Sequence, residues 1–438
     1  MKDDSTQGYL VTGPPTTVTS AGRRRRRAVT FSVAALVLVL VLALVGFGVF
    51  QYVSLTLGIK RSDILGAGSA SGDTNILVMG LDSRLDENGN PLPKHIYDVL
   101  HAGDQSNGGL NANVLMLLHV PADGSKATEI SIPRDDYVQL AGCPDGECMG
   151  KIKQAYGLAY DQASRLLAGQ TGLDPTQRQQ QERDAGRKAQ ITTVSQFLGG
   201  VPIGHFVEVT LVAFYEIAQV VQPITVCVNA NTQDSYSGAN LHKGLQQINA
   251  AQALAFVRQR RDDTHPSLNF TDLDRERRQQ AFIASLAYQL KQADTFTNPI
   301  KLTQILDVAK QNTAIDSGLD LLSFVGQASS LAGGNVTYFT LPIDHFGKDP
   351  LGEDVNYVNL PLIQATVSHL LAPPTSASAK PAPVTSHPTS STTATAGPSP
   401  STTEPAPATP VQAAGPGVTA PPPTALSALS GGGIQCVK

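Results

Sequence analysis

Charged residues and large aromatic residues are scarce in this chain. Of its 438 residues only 16% are Asp, Glu, Lys or Arg, and tryptophan is absent. Glycine and proline are instead abundant, with 39 and 29 residues respectively. This composition is typical of a membrane-attached or exported protein that carries a low-complexity segment.

An excess of positive charge is also missing. The net charge is −4, and after residue 27 the chain holds 26 basic and 34 acidic residues. Proteins that bind nucleic acid usually present a basic surface to the phosphate backbone. The charge distribution therefore argues against nucleic acid as a partner.

Cysteine occurs at only four positions: 143, 148, 227 and 436. Cys143 and Cys148 lack the second close pair and the histidine expected of a zinc site. We expect these two to close a short loop as a disulfide, which suits an oxidising compartment. A pairing of Cys436 with Cys227 is left open by the sequence.

A long apolar run directly follows a block of five arginines, Arg23–Arg27. Residues 28–53 carry no charge and are mostly Val, Leu, Ala and Phe, so they can cross about 30 Å of hydrocarbon as a helix. No small-residue cleavage site of a signal peptide follows. The basic flank predicts a disordered cytoplasmic tail at 1–27 and a single-pass cell-membrane protein whose main domain is extracytoplasmic.

Two further segments are predicted to lack a fold. Residues 54–72 have the composition of a linker rich in Gly and Ser. Residues 372–438 are predicted to form a disordered tail, because 14 of the 29 prolines lie between 372 and 427 among Ser, Thr and Ala. Such a tail suits a location in the cell wall.

Residues 73–371 are predicted to form one α/β domain. Apolar runs at 75–80, 114–120 and 127–132 have no polar alternation, which is typical of strands buried on both faces. Strands alternate with helical segments, and this order favours a three-layer α-β-α architecture. By contrast, the Gln- and Arg-rich residues 174–190 are expected to form a solvated helix or loop.

Polar residues follow two of these strands. Asp82 and Arg84 come after the first, and Arg134 and Asp135 come after the third. Strand ends are where ligands gather in open α/β sheets. The side chains at these positions are therefore candidates for a binding site.

A dense charge cluster lies further along the chain, between Arg258 and Arg278. It holds six arginines and five carboxylates, and helical spacing turns Arg258, Arg275 and Gln279 towards apolar faces. Inward guanidinium groups need an anionic partner, and their planar forks fit phosphate oxygens. The alternative is a salt-bridge network with Asp262, Asp263, Asp272 and Asp274.

Several motifs in order resemble the LytR-CpsA-Psr family of membrane-anchored cell-wall ligases, in its actinobacterial form. The resemblance covers about residues 73–290 behind one N-terminal span. Its motifs are Leu77-Val78-Met79-Gly80-Leu81-Asp82-Ser83-Arg84, Leu115-Met116-Leu117-Leu118-His119-Val120-Pro121, Ser131-Ile132-Pro133-Arg134-Asp135, Lys151-Ile152-Lys153-Gln154-Ala155-Tyr156, Ala253-Leu254-Ala255-Phe256-Val257-Arg258-Gln259-Arg260 and residues 272–280.

The resemblance implies transfer of a glycopolymer from a polyprenyl-pyrophosphate carrier to peptidoglycan, with release of polyprenyl phosphate. It also implies Mg²⁺, or Mn²⁺, bound by Asp82 and Asn113, and a base at Asp272 or Asp135 that could instead only orient an arginine. Catalysis would involve Arg134, Asp135, Arg258, Arg260 and Asp272. The implied pyrophosphate ligands are Arg84, Arg134, Arg258, Arg260, Arg275 and Gln279.

Two positions depart from the family pattern. Asn113 stands where the family has Asp, and Lys153 stands where it usually has Asn. An amide oxygen can ligate Mg²⁺ but adds no negative charge, so the metal site should be weakened. Three alternatives to a phosphotransferase therefore stay open: a non-catalytic protein that binds lipid or wall polymer, a lipid pyrophosphatase, and an adhesion domain.

Overall fold

The structure is a computed structural model. The predicted transmembrane helix, residues 28–53, lies outside the described residues apart from Val53, as do residues 1–27. Within the described part of the chain, no helix is both long and apolar enough to cross a membrane. The structure describes residues 53, 58–66, 72–101, 110–268, 270–292, 298–320, 334–372 and 426–438.

An eight-stranded mixed sheet forms the centre of the domain that begins at Lys60. The apolar runs predicted as buried strands form its middle, where β2 (Thr74–Leu81) pairs antiparallel with β3 (Ala112–Val120) and β3 pairs antiparallel with β4 (Ala127–Ser131). In spatial order the strands are β1 (Lys60–Ser62), β12 (Thr313–Asp316), β7 (His205–Thr210), β2 (Thr74–Leu81), β3 (Ala112–Val120), β4 (Ala127–Ser131), β13 (Val336–Thr340) and β16 (Leu429–Ser430).

Smaller sheets surround this centre. A three-stranded sheet has β8 in the middle, and three two-stranded ribbons complete the strands of the described residues. The three strands are β11 (Gly244–Ile248), β8 (Ile224–Val228) and β17 (Cys436–Val437), and the ribbons pair β5 (Tyr137–Gln139) with β6 (Met149–Lys151), β9 (Thr232–Asp234) with β10 (Ala239–Leu241), and β14 (His345–Lys348) with β15 (Asp354–Tyr357).

Helices cover both faces of the central sheet, as the three-layer prediction requires. The helices are α1 (Lys94–Leu100), α2 (Gln154–Leu167), α3 (Pro175–Phe197), α4 (Leu211–Val221), α5 (Ala250–Arg258), α6 (Asp272–Gln292), α7 (Pro299–Asn312) and α8 (Leu360–Leu371). One apolar core lies under α1, α4, α5 and α6, and a second lies under α2, α3 and α8. An additional helix, α7, packs against α4.

Two segments predicted to lack structure contribute strands. Lys60–Ser62, in the predicted linker 54–72, pairs in parallel with β12 at the edge of the central sheet. Residues 426–438, in the predicted tail 372–438, supply β16 and β17. The composition of these segments did not predict the strands, because pairing at a sheet edge uses backbone groups that nearly every residue type carries.

The polar segment 174–190 forms most of α3, with an exposed first turn and one buried face. Arg183 and Arg187 of α3 are fully buried and contact Glu87 and Glu208 at 2.9–3.3 Å. The hydroxyl of Tyr156 donates to Glu208 at 3.0 Å. A helix was predicted, but the prediction that it is solvated was wrong for this face. The arginines there are balanced by carboxylates from a distant loop and a strand, and local sequence does not show that pairing.

Candidate functional site

Two strands deliver their polar ends to the same edge of the sheet. Because β3 pairs antiparallel with both β2 and β4, those two strands run in parallel and end together. Asp82 and Arg84 follow β2, and Arg134 and Asp135 follow β4. The structure therefore places these four residues, which were predicted to lie at strand ends, at one edge of the sheet.

The first turn of α6 adds a carboxylate to which three arginines converge. Asp272 lies 2.7 Å from Arg275, 3.3 Å from Arg260 and 3.6 Å from Arg134, measured between nitrogen and oxygen atoms. Its side chain is only 8% exposed. Arg260 reaches it from just beyond α5, whose start is fixed by a capping box between Asn249 and Gln252.

A second carboxylate, Asp135, binds the other side of this cluster. It accepts a hydrogen bond from Lys153 Nζ at 2.5 Å and lies 3.4 Å from Arg134 Nε and 4.0 Å from Arg260. Burial alone raises the pKa of Asp135, but Arg134 and Lys153 outweigh it and lower the pKa to about 2. Asp135 is therefore firmly ionised at neutral pH.

Asp82, Arg84 and Arg258 form the remaining part of the cluster. Arg84 lies 3.5 Å from the Asp82 carboxylate and donates to the Asp82 carbonyl at 3.1 Å. Burial lowers the pKa of Arg258, while Asp82 raises it and Arg84 lowers it. Arg258 also donates to the carbonyls of residues 100 and 101, which end α1.

Gln279 does not join the charged groups. Its Nε2 donates to the Val257 carbonyl at 3.3 Å, so it ties α6 to α5. The alternative interpretation was a salt-bridge network between the arginines and four aspartates. Of these four, only Asp272 forms ion pairs with arginines in the described part of the structure. Asp274 pairs with Lys438, and Asp262 lies 3.6 Å from His265.

Two carboxyl groups beneath the site were not identified from sequence. Burial raises the pKa of Asp136 well above its usual value, and burial with Asp272 does the same for Glu276. Burial thus favours the neutral form of both carboxyls. Six basic side chains meet the carboxylates of Asp82, Asp135 and Asp272, and such a surplus of basic groups binds anions. The basic groups are Arg84, Arg134, Lys153, Arg258, Arg260 and Arg275.

The profile of the LytR_cpsA_psr family matches residues 56–366. The chain belongs to this family. The cell wall biosynthesis protein LcpA of Corynebacterium glutamicum is 36% identical to it over 361 residues, which cover 80% of this chain and 66% of LcpA. The polyisoprenyl-teichoic acid–peptidoglycan teichoic acid transferase TagU of Bacillus subtilis is 24% identical over 249 residues, which cover 57% of this chain and 63% of TagU.

The chain thus matches less than two thirds of the length of LcpA and of TagU. Among solved structures, the LytR-Csp2A-Psr enzyme from Actinomyces oris aligns with a TM-score of 0.46 and 20% identity, over 71% of this chain and 95% of that one.

The backbones of the two implied metal ligands, Asp82 and Asn113, meet at one residue. The carbonyl of Asn111 accepts from the amides of both Asp82 and Asn113 at 3.0 Å, at a register shift where β2 ends. Asn113 Oδ1 is buried and accepts no hydrogen bond in the described structure. One carboxylate and one unpartnered amide oxygen fit Mg²⁺, which takes few protein ligands and fills the rest with water and phosphate.

The described part of this family member holds no group of three or more His, Cys, Asp or Glu side chains able to bind a metal. The donor set is therefore too sparse for an all-protein metal cage. Both disulfides are formed: Cys143–Cys148, as predicted, and Cys227–Cys436, which the sequence left open.

Proposed function

We propose that this chain is a phosphotransferase that moves a glycopolymer from a polyprenyl-pyrophosphate carrier to peptidoglycan. The observation that carries the proposal is the convergence of Arg134, Arg260 and Arg275 on the Asp272 carboxylate. Asp135 also contacts two of these arginines, but the three guanidinium groups and Lys153 together carry more charge than the two carboxylates can neutralise. A pyrophosphate, with several charged oxygens, matches the surplus. Membership of the family, the cell wall role in the name of LcpA and the transferase name of TagU support this proposal.

The exposure of the arginines suggests how the anion is bound. Arg275 is buried and fixed on α6, whereas the Arg260 side chain is 49% exposed and can turn towards an incoming ligand. Arg134 lies between them at the end of β4. Groups held in place in this way stabilise charge that develops on a transferred phosphoryl group, because they need little reorganisation during the reaction.

The reaction requires an acceptor hydroxyl of peptidoglycan to attack the phosphorus that carries the glycopolymer. A new O–P bond forms, the pyrophosphate bridge breaks, and polyprenyl phosphate leaves with the bonding electrons. The hydroxyl proton passes to Asp272, whose Oδ1 accepts no hydrogen bond within the described structure and is contacted by Arg260 and Arg134 at 3.3 and 3.6 Å. Asp135 is less suited as the base, because Arg134 and Lys153 lower its pKa to about 2.

Asp82 and Asn113 would hold Mg²⁺ or Mn²⁺ beside Arg84. The ion would neutralise phosphate oxygens and so favour the leaving group. The chain's own contribution is to present the Asp82 carboxylate and the unpartnered Asn113 oxygen at one edge of the sheet.

The direct test is turnover by the full chain in detergent micelles. It would receive a lipid-linked polyprenyl-pyrophosphate sugar, Mg²⁺ and peptidoglycan fragments. We expect polyprenyl phosphate together with a sugar-phosphate joined to the acceptor. Arg260→Ala should lower the rate about 100-fold or more, because a charge-stabilising donor is lost. Arg165→Ala, which removes an exposed ion pair with Asp145, is the matched control.

The products separate the transferase from its rivals. Release of phosphate without an acceptor would identify a pyrophosphatase. Binding of the lipid without any product would identify a non-catalytic binding protein, an alternative favoured by the uncharged Asn113. Asn113→Asp adds a charged ligand, so it should tighten Mg²⁺ binding in a transferase and create activity in a binding protein. Unchanged metal affinity in this variant would contradict the assignment of residue 113 as a ligand.

A further inference from the structure

Residues 426–438, which we call the strap, are fixed to the domain at several points. Strand β16 pairs with β13, and β17 pairs with β8 beside the Cys227–Cys436 disulfide. The amide of Asn229 donates to the Val437 carbonyl at 2.8 Å. The strap therefore connects the edge of the central sheet to the three-stranded sheet.

The end of the strap lies on a buried arginine of α6. Arg278 is fully buried, and its Nε donates to the main-chain oxygen of Lys438 at 2.6 Å. The guanidinium also donates to Thr232 Oγ1 at 3.3 Å and packs over the rings of Phe256 and Phe270. A buried cation depends strongly on its acceptors, so the strap oxygen is one of the groups that hold it in place.

Arg278 connects the strap to the loop that carries Arg260. Its second nitrogen donates to Gln259 Oε1 at 2.5 Å, and Gln259 Nε2 donates to the Arg261 carbonyl at 2.7 Å. Gln259 is fully buried. The residues on both sides of Arg260 are thus fixed by one side chain, which is held by Arg278.

We propose that the strap is a positioning device for the anion site and acts through Arg278 and Gln259 on Arg260. Seating of the strap keeps Arg278 directed at Gln259, and this fixes the backbone from which Arg260 reaches Asp272 at 3.3 Å. Release of the strap would let Arg278 turn away and loosen the loop. The inference rests on the proposed function in one respect, that Arg260 binds pyrophosphate.

The test is a double-mutant cycle on the full chain. One arm removes the strap by truncation after Ala425, or frees it by Cys227→Ser with Cys436→Ser if the truncated chain does not fold. The other arm is Gln259→Met, which keeps the volume of the side chain but removes its hydrogen bonds to Arg278 and to the Arg261 carbonyl. Two quantities are measured: hydrogen exchange of residues 257–268, and affinity for inorganic pyrophosphate by calorimetry.

We expect loss of the strap to speed exchange in residues 257–268 and to weaken pyrophosphate binding about fivefold or more. In the Gln259→Met background, loss of the strap should have little additional effect, since the path is already broken. Arg277→Met is the control, because Arg277 also contacts the strap, at Ser427, but does not bond to Gln259. It should leave loop exchange unchanged.

Additive effects of the two arms, or unchanged exchange in the loop after strap loss, would overturn the inference. Failure of the proposed function gives a different result. In that case the parent chain would bind no pyrophosphate and Arg260→Ala would change nothing, while the exchange data would still decide whether the strap controls the loop.

Discussion

Glu129 on β4 is buried against α6 beside the candidate site. Its Oε1 accepts from Ser131 at 2.8 Å, and Gln280 reaches its other oxygen at 3.4 Å. Burial raises the pKa of this carboxyl from 4.5 to about 8, because no cation compensates the loss of water. At neutral pH the group is mostly protonated in the folded protein.

This shift predicts how stability depends on pH. The Glu129 contribution is complete below pH 4.5 and is lost as pH rises towards about 8, because unfolding then releases a proton. Glu129→Gln cannot ionise, so relative to the parent its free energy of unfolding should rise across that range by a few kcal/mol (order of magnitude). Chemical denaturation at pH 5 and pH 8 measures the difference. Parallel pH profiles would show that Glu129 is not buried as a neutral acid.

At the residue scale, the sequence identified the arginines of the site and, in Asp272, one of their partners. Arg134 was predicted from a strand end, Arg275 from helical spacing and Arg260 from the family resemblance, and the structure brings all three together on Asp272. Lys153 was seen only as a departure from a pattern, although it forms the hydrogen bond to Asp135. That partnership depends on two loops meeting, which no local pattern records.

At the scale of elements, α3 carries a buried ionic network. Arg187 contacts Glu208 at 2.9 Å and Glu87 at 3.3 Å, and all three side chains are almost fully buried. Burial raises the pKa of Glu87 to about 7, with Arg183 opposing that rise. The network joins α3 to β7 and to the loop after β2, the strand that leads to Asp82.

Removal of one member of this buried ionic network should therefore destabilise the folded protein. Arg187→Leu leaves Glu208 and Glu87 without a guanidinium they share, and we expect a loss of about 3–5 kcal/mol in the free energy of unfolding. Urea denaturation measures it. Arg165→Leu on α2 removes only an exposed pair, so it should change stability by less than about 1 kcal/mol. Equal losses in the two variants would refute a special role for the buried network.

At the scale of the whole molecule, we predict a membrane anchor at residues 28–53 with the domain outside the cell. The basis is the uncharged run behind Arg23–Arg27. Protease added to intact spheroplasts should digest the domain and spare a tag placed before residue 23. Detergent lysis, as the control, should expose the tag as well. A protected domain with a digested tag would reverse the orientation, and a full chain in the soluble fraction would exclude the anchor.

Sequence alone determined the features that follow from local pattern. Runs of apolar residues gave the buried strands β2, β3 and β4, because a strand covered on both faces needs no polar alternation. The order of motifs gave the family, and the profile match over residues 56–366 confirmed it. The close cysteine pair gave the Cys143–Cys148 disulfide.

Tertiary structure alone decided what depends on distant residues meeting. It paired Cys436 with Cys227, returned residues 426–438 to the domain, and buried the charged face of α3. It also placed Arg278 between the strap and Gln259. The physical reason is the same in each case: a buried charge or backbone edge is stable only with a partner, and the fold chooses that partner across the chain.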